Sequence, residues 1–438
     1  MSPSGRGPVG HVLSMLKVGV IGFGGGSALI PVMEKELVRR DGLSADEFLQ
    51  DTVIANITPG ALPVKLAALS GARLRGSVLA VVGALAVAVP GTLGTVALIA
   101  LFGQLGPGAI RMIEFASLGI TAFIIYLLGH YVMKVVAPGG HPRAVPIVIA
   151  VVAFVLCGAG ETIDLGHALF DREATWHLPE LSALGLVLIA LIAISVFTLW
   201  QYLRRHTADE HAGDAGRDGQ TRRALHGAGL FAAVTAVGLV VAVAVPPVGA
   251  TLGFLALTLA STVTSFGGGE AYVGVADGFF VASGLVDQGV FYGQIVPVAN
   301  ALPGPILVKI AAAVAFVAGG TAGWLLAGAA FLVAVGSCSA IAVGVLAGYD
   351  RARNSLLIRN ISTYILPVIC GLLASTAVAM LHSNVRIAGE AGVPGWLTVL
   401  ASIGLAVSVV FIHRLIRMPD ILLIVLFGAL SFAVLAAL

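Results

Sequence analysis

The segment ANITPGALPVKLAA, at residues 55–68, has a close copy later in the chain, ANALPGPILVKIAA at residues 299–312. Eight of the fourteen aligned positions are identical, including the asparagine, the Pro-Gly pair and a lysine six residues after the proline. Both copies lie in strongly apolar surroundings, where a Pro-Gly break and a positive charge are each costly. Because the same costs recur at matching positions, the two copies predict a paired site.

The apolar composition of the whole chain indicates its class. Of the 438 residues, 58% are hydrophobic and 11% are charged, and the mean hydropathy is +1.02. Soluble domains carry about 25% charged residues. Apolar stretches of roughly 20 residues, each long enough to cross about 30 Å of hydrocarbon, recur along the chain. The composition therefore predicts an all-α polytopic membrane protein embedded in a lipid bilayer.

Several classes of function are disfavoured by what the sequence lacks. The net charge is +2 and there is no basic tract, so no nucleic-acid partner is expected. Cys157, Cys338 and Cys370 stand singly, without the spacing of a metal site or a disulfide framework. The sequence has no phosphate-binding loop, no HExxH motif and no CxxC motif. We therefore expect no enzyme activity, no cofactor and no metal.

A second pair of motifs extends the repeat over the chain. FGGG occurs at residues 23–26 and again at 266–269, and the proline of the Pro-Gly pair follows its Phe by 36 and 37 residues respectively. This spacing predicts two homologous halves joined by a polar linker and one extra helix. The predicted units are an N-terminal transmembrane repeat at 1–203, a cytoplasmic linker at 204–224, an orientation-inverting helix at 225–245 and a C-terminal transmembrane repeat at 246–438.

Loop charges predict that the two halves have opposite orientations, because Lys and Arg concentrate in cytoplasmic loops. In the first half, loops 73–76 and 204–223 are basic, whereas loop 161–180 is acidic. At equivalent positions of the second half the pattern is reversed, since 317–320 is uncharged and 413–418 is basic. We therefore expect inverted repeats in the cell membrane, with the N-terminus in the cytoplasm and the substrate site near the midplane.

The charges of two connectors bear on the shape of the hairpins. Connector 34–47 contains Lys and Arg, whereas connector 277–289 contains aspartates and no base. If they lie on opposite sides of the membrane, FGGG and Pro-Gly form the tips of broken, re-entrant helical hairpins, which must be buried in protein or line a wet cavity. Ordinary two-pass crossings are the alternative.

These motifs together resemble the chromate ion transporter family. The relevant segments are GFGGG at 22–26, PVMEKE at 31–36, the Pro-Gly hairpins and LPGP at 302–305, and the resemblance covers nearly the whole chain. It implies a membrane transporter of chromate, with sulfate as a related substrate, that acts in efflux and confers chromate resistance. The chain departs from the family pattern at Ala61, where the family has proline, at the two lysines, and at Glu270.

Hairpin tips offer the donors that an oxyanion requires. Broken helices leave backbone N–H groups without intrahelical partners, and the helix dipole favours an anion at their N-termini. Glycines allow close approach of the backbone, amides and hydroxyls add donors, and the lysines supply charge. The predicted substrate-binding residues are Gly24, Gly25, Gly26, Ser27, Asn56, Thr58, Pro59, Gly60, Lys65, Gly267, Gly268, Gly269, Asn300, Pro303, Gly304 and Lys309.

Some interpretations stay open at this level. Each lysine could instead extend to the lipid headgroups. Glu270 could pair with a lysine, carry a coupling proton, or be a structural carboxylate at a helix N-terminus. The main hypothesis is a secondary transporter of a small tetrahedral oxyanion, with a homodimer as one allowed assembly. The alternatives are a transporter or channel for another solute or a cation that uses Glu270, and an intramembrane enzyme or scaffold.

Overall fold

The computed structural model describes residues 7–22, 29–74, 76–105, 107–169, 181, 183–204, 218–266, 269–348, 356–415, 418 and 420–437. Within these residues the secondary structure is helical and contains no strand, as the composition predicts. The helices of the first half are α1 (Pro8–Ile21), α2 (Ile30–Leu37), α3 (Ala45–Ile57), α4 (Leu62–Leu74), α5 (Ser77–Phe102), α6 (Pro107–Val136), α7 (Ala144–Leu169) and α8 (Ala183–Arg204).

The second half repeats this series after one additional helix. That helix, α9 (Asp218–Val240), begins within the segment predicted as linker and has no counterpart in the first half. The repeated series is α10 (Val248–Thr264), α11 (Gly269–Ala276, continuing into a π-helical turn at Asp277–Val281), α12 (residues 288–301), α13 (Ile306–Ala318), α14 (Gly323–Ala347), α15 (Leu356–Glu390), α16 (Gly395–Leu415) and α17 (Asp420–Ala437). The middle of α12 is also π-helical, at Phe291–Ile295.

Eight helices in the described part of the chain are long and apolar enough to cross a bilayer. They are α5, α6, α7, α8, α9, α14, α15 and α16. In contrast, α3, α4 and α13 have 13 residues each. At a rise of 1.5 Å per residue such a helix covers about 20 Å, less than the hydrocarbon core of a bilayer. The chain is therefore a multi-pass membrane protein that also contains broken helices.

The equivalent helices α6 and α15 of the two halves run in opposite directions. At the start of α6, the guanidinium of Arg111 donates to the carbonyl oxygen of Glu390 at the end of α15, 2.6 Å away. Since α6 and α15 pack together and are equivalent in the two series, this pair is antiparallel, as the loop charges predict. The halves also interlock reciprocally, because α5 packs on α13 just as α14 packs on α4.

In the first half, α1 and α2 form an antiparallel hairpin held by polar contacts. His11 Nδ1 lies 2.8 Å from Asp41 Oδ2, and deeper in the hairpin Lys17 Nζ lies 2.8 Å from Glu36 Oε1. Arg40 also donates to the Glu36 carboxylate, at 3.3 Å. As the sequence advances along α1 its partners recede along α2, so the chain returns to the side from which it started.

The next hairpin, formed by α3 and α4, returns in the same way. Arg73 Nε, in the last turn of α4, donates to Asp51 Oδ1 near the middle of α3 at 2.7 Å. The start of α3 is fixed by a capping box, in which Ser44 and Glu47 exchange hydrogen bonds. The Ser44 hydroxyl donates to the Glu47 carboxylate and lowers the pKa of Glu47. Local sequence therefore sets where this hairpin begins.

The hairpin of α10 and α11, which is equivalent to that of α1 and α2, is held mainly by apolar groups. The rings of Phe254 and Phe280 stack with centroids 5.6 Å apart. Closer to the tip, the hydroxyls of Ser261 and Tyr272 lie 3.0 Å apart. The two halves therefore share the hairpin geometry but stabilise it with different chemistry.

Candidate functional site at the Pro-Gly tips

The helices that follow the two Pro-Gly tips lie at the centre of the protein. All residues from Leu62 to Gly71 in α4 and from Ile306 to Ala315 in α13 are buried. Lys65 is 2% exposed and Lys309 is 0% exposed. The alternative in which these lysines extend to the lipid headgroups is therefore wrong. A buried ammonium group requires hydrogen-bond partners inside the protein.

Each lysine ammonium donates to a backbone carbonyl at the end of the preceding helix. Lys65 Nζ donates to Thr58 O at 2.5 Å, and Lys309 Nζ donates to Leu302 O at 2.6 Å. Thr58 and Leu302 occupy equivalent positions, immediately before the Pro-Gly pair. Carbonyls at a helix C-terminus lack intrahelical donors and carry the negative end of the dipole. The lysines therefore satisfy and neutralise the ends of α3 and α12.

Lys309 has a second carbonyl partner that proline chemistry makes available. Its Nζ also donates to Ala299 O. In a continuous helix this oxygen would accept from the residue four positions on, but that residue is Pro303, which has no N–H. The proline thus frees the carbonyl that the lysine then binds.

The glycines of the tips adopt a conformation that other residues rarely do. The φ angles are +100° at Gly60 and +97° at Gly304. A residue with a side chain is strained in this left-handed region. The Pro-Gly pairs therefore form the same type of turn in both halves.

Each tip is hydrogen-bonded to the opposite half of the protein. Gly60 N donates to Ser265 O at 2.6 Å, and Gly304 N donates to Gly22 O at 2.8 Å. Ser265 and Gly22 are the residues that immediately precede the two FGGG motifs. The Pro-Gly break of one half thus meets the Gly-rich break of the other, twice, by an equivalent contact.

Long helices pack closely against both tips. A Cβ added at Gly60 would lie 2.2 Å from the Cβ of Cys338 on α14. On the other side, a Cβ added at Gly91 on α5 would lie 2.0 Å from Pro303 O and 3.2 Å from Lys309 Cδ. Sequence reasoning did not place Gly91 or Cys338 at the site. For Gly91 a signal exists, because it forms a Pro-Gly pair with Pro90 in the middle of an apolar span.

The predicted side-chain donors differ between the halves. Asn300 is buried and Asn56 is exposed, and each amide donates to the backbone carbonyl four residues earlier. The Thr58 hydroxyl is buried and donates to Ile54 O. In this conformation these polar groups are satisfied within their own helices, so the two lysines are the symmetric charged element.

Part of the predicted site lies outside the described residues. This applies to Gly24, Gly25, Gly26, Ser27, Gly267 and Gly268. Gly269 begins α11, and only the helical backbone of Glu270 is described. Among the described residues, no group of three or more His, Cys, Asp or Glu side chains could hold a metal ion.

A recess of about 640 Å³ lies where α7 and α15 end and α16 begins. Its lining includes His382, Arg386 and Trp396. His382 Nδ1 lies 3.4 Å from Glu161 Oε2 of α7. This recess is on the face where α6 begins, and its lining includes the guanidinium of Arg386, which sequence reasoning did not assign to the site.

Comparison with known proteins follows the division into two helix series. The sequence model of the family described as Chromate transporter matches residues 10–169 and 252–432. The uncharacterized transporter YwrB of Bacillus subtilis (strain 168) is 34% identical over 119 residues, which cover 25% of this chain and 60% of that protein. No solved structure shows significant similarity to the chain. The extra helix α9 lies outside both matched regions.

Proposed function

Because the chain belongs to the chromate transporter family, we propose that it carries a tetrahedral oxyanion, chromate or sulfate, out of the cell across the cell membrane. The family and the eight candidate spans make it a membrane transporter and not an enzyme. The substrate, the direction and the binding site are the proposal. The observation that carries it is the reciprocal meeting of the Pro-Gly and Gly-rich breaks beside two buried lysines.

The electrostatics of a broken helix support an anion as substrate. At each Pro-Gly tip a helix C-terminus and a helix N-terminus come together, those of α3 and α4 or of α12 and α13. The lysine ammonium neutralises the C-terminus, through Thr58 O or Leu302 O. The unpaired N–H groups of the following helix then leave the tip net positive, which favours an anion. Two such tips related by pseudo-symmetry suit a tetrahedral dianion.

The proposed site is near the membrane midplane, between the tips and the lysines. In this arrangement the hairpins of α1–α4 enter from the cytoplasm and those of α10–α13 from the outside, so the N-terminus is cytoplasmic. The short helices support re-entrance, since 13 residues do not span a bilayer. The recess beside His382 and Arg386 is then an outer vestibule for the anion.

Membrane potential alone can drive the proposed efflux. It contributes about 2.3 kcal/mol per elementary charge per 100 mV, and a dianion leaving a negative compartment gains about twice that amount. No ATP-binding motif is present in the sequence. An imposed potential, negative on the side from which the anion leaves, is therefore expected to accelerate transport.

Flux in proteoliposomes tests this function. The purified chain is reconstituted, and movement of labelled sulfate and of chromate is compared with that of a monovalent anion, with and without an imposed potential. We expect saturable dianion flux, competition between sulfate and chromate, and acceleration by the potential. Absence of saturable flux of either dianion would overturn the proposal, and saturable flux of a cation would favour the alternative substrate class.

A further inference from the structure

The carbonyls bound by the two lysines are of the kind that coordinate Na⁺ or a proton in transporters with broken helices. Where a membrane helix is broken, its C-terminal carbonyls can coordinate Na⁺ or receive a proton, while helix N-termini face anionic groups. Leu302 O and Ala299 O are such carbonyls, at the end of α12. Thr58 O is the equivalent of Leu302 O at the end of α3.

A lysine ammonium occupies this position in both halves. It is a compact, single positive charge, and so resembles a monovalent cation in charge and in its preference for oxygen ligands. Both ammonium groups are buried and are held by backbone carbonyls. The two sites arose at equivalent positions, so the arrangement is not an accident of one loop.

The surroundings of the two lysines hold backbone carbonyls but no described carboxylate as a counter-ion. Among the described side chains, no carboxylate forms an ion pair with Lys65 or Lys309. Within the described part of the chain, the group that faces each ammonium is a helix C-terminus, whose partial charge is equivalent to roughly half an elementary charge. Positive charge therefore remains for an arriving anion.

We propose that Lys65 and Lys309 are built-in replacements for coupling cations, so that this transporter uses no bound Na⁺ or K⁺, and that removal of either side chain opens a monovalent-cation site at its carbonyls. The role in transport rests on the proposed function. The binding of a cation does not, because it concerns the protein at equilibrium.

Lys309→Ala provides the sharper test, since Lys309 holds two carbonyls and Lys65 one. Truncation leaves these oxygens and the space of the side chain for water and an ion. In Lys309→Met, an apolar chain of similar length fills that space, so no cation should enter. Lys134→Ala removes an exposed lysine from the last turn of α6 and serves as the control.

Thermal unfolding of the purified full chain in detergent measures the effect, with NaCl, KCl and choline chloride at equal concentration. We expect the wild type, Lys134→Ala and Lys309→Met each to unfold at a temperature that is the same in all three salts. For Lys309→Ala, NaCl or KCl should raise the unfolding temperature above that in choline chloride by on the order of 2 °C or more, since a ligand that binds only the folded state stabilises it. Saturable binding of ²²Na⁺ or ⁸⁶Rb⁺ should accompany the shift.

Other outcomes would overturn the inference. A wild type stabilised by Na⁺ or K⁺ as strongly as Lys309→Ala would show that the lysine does not fill the site. Lys309→Ala without any cation response would show that the carbonyls do not form one. If Lys309→Ala does not fold, Lys65→Ala is measured in the same way, with the same criteria.

A transport arm separates this inference from the proposed function. Anion flux by the wild type should be equal when choline replaces all Na⁺ and K⁺ in the proteoliposome buffers. A flux that requires Na⁺ or K⁺ would contradict the inference while leaving oxyanion transport intact. Conversely, absence of anion flux in every buffer would refute the proposed function, and the unfolding measurements would still decide the cation site.

Discussion

The backbone N–H of Gly304 donates to the carbonyl oxygen of Gly22 at 2.8 Å, and thereby joins the second-half Pro-Gly tip to the end of α1 in the first half. An equivalent bond joins Gly60 to Ser265. Neither hairpin tip can therefore move without breaking or carrying a contact with the other half. Alternating access in transporters with inverted repeats is largely a rigid-body motion of one repeat against the other, and such a motion would act on both of these contacts.

The close approach of α14 to the first Pro-Gly tip can be tested by alanine at Gly60, with alanine at Gly304 as a matched control. Gly60→Ala and Gly304→Ala both place a side chain in the left-handed region, which costs about 1–2 kcal/mol. Only Gly60→Ala also brings a Cβ against Cys338, because the nearest atom to a Cβ at Gly304 lies at 3.5 Å. We expect Gly60→Ala to lower the unfolding temperature more than Gly304→Ala, and Cys338→Gly to restore part of the difference. Equal effects of the two alanines would contradict the close approach of α14 to the tip.

The close approach of α5 to the second tip predicts a position-specific effect of alanine. In Gly91→Ala the new Cβ would meet Pro303 O, and overpacking of this kind typically costs about 1–3 kcal/mol. Gly94→Ala, on the same helix, brings only an ordinary contact with Leu302 Cδ1 at 3.4 Å. We expect reduced stability and flux for Gly91→Ala and near wild-type values for Gly94→Ala. Measurement of both in one reconstitution series decides between a specific contact and a general effect of glycine replacement.

The charges of the buried lysines predict a loss of anion transport. Lys65→Ala or Lys309→Ala should reduce saturable sulfate or chromate flux in choline buffer at least about tenfold, which corresponds to roughly 1.4 kcal/mol of lost stabilisation. The exposed Lys134→Ala should retain wild-type flux. Gel filtration and the unfolding temperature confirm that each variant is folded. Wild-type flux in a folded lysine variant would remove that lysine from the site.

The polar hairpin of the first half predicts a difference between two neighbouring glutamates. Glu36 is buried and accepts from Lys17 and Arg40, whereas Glu34, on the same short helix, is exposed. A hydrogen bond to a charged group contributes about 1.5–3 kcal/mol to stability. This contribution is lost when the buried carboxylate is removed. We expect Glu36→Ala to accelerate amide hydrogen exchange in α1 and α2, and Glu34→Ala to leave it unchanged. Similar exchange in both variants would show that the ionic contacts do not hold the hairpin.

Sequence reasoning reached the class, the duplication and the inversion, because these depend on composition, motif spacing and loop charge. It also identified Lys65 and Lys309, since a repeated charge in an apolar segment is visible without coordinates. It could not distinguish Asn56 from Asn300, which share a motif but differ in burial. Burial of a residue depends on which distant helix covers it, and the local sequence does not carry that information.

The partners of the lysines were missed for a related physical reason. Nothing in residue type indicates that a lysine folds back onto the carbonyl seven positions earlier, because a backbone acceptor has no sequence signature. The contact with Cys338 likewise joins positions far apart in the chain. Gly91 alone had a local signal, since a Pro-Gly pair inside a membrane span usually reflects a close approach or a kink.

The extra helix α9 determines whether the number of membrane crossings is even or odd. On the proposed topology, four crossings by α5–α8 return the chain to the cytoplasm, and one further crossing by α9 starts the second half from the outside. On this topology α17, with 18 residues, crosses in addition to the eight candidate spans. The four crossings by α14–α17 then make the total odd, so Pro8 and Ala437 lie on opposite sides of the membrane. A chain without α9 would have both on one side and two halves in the same orientation, and the two buried lysines would approach from a single face.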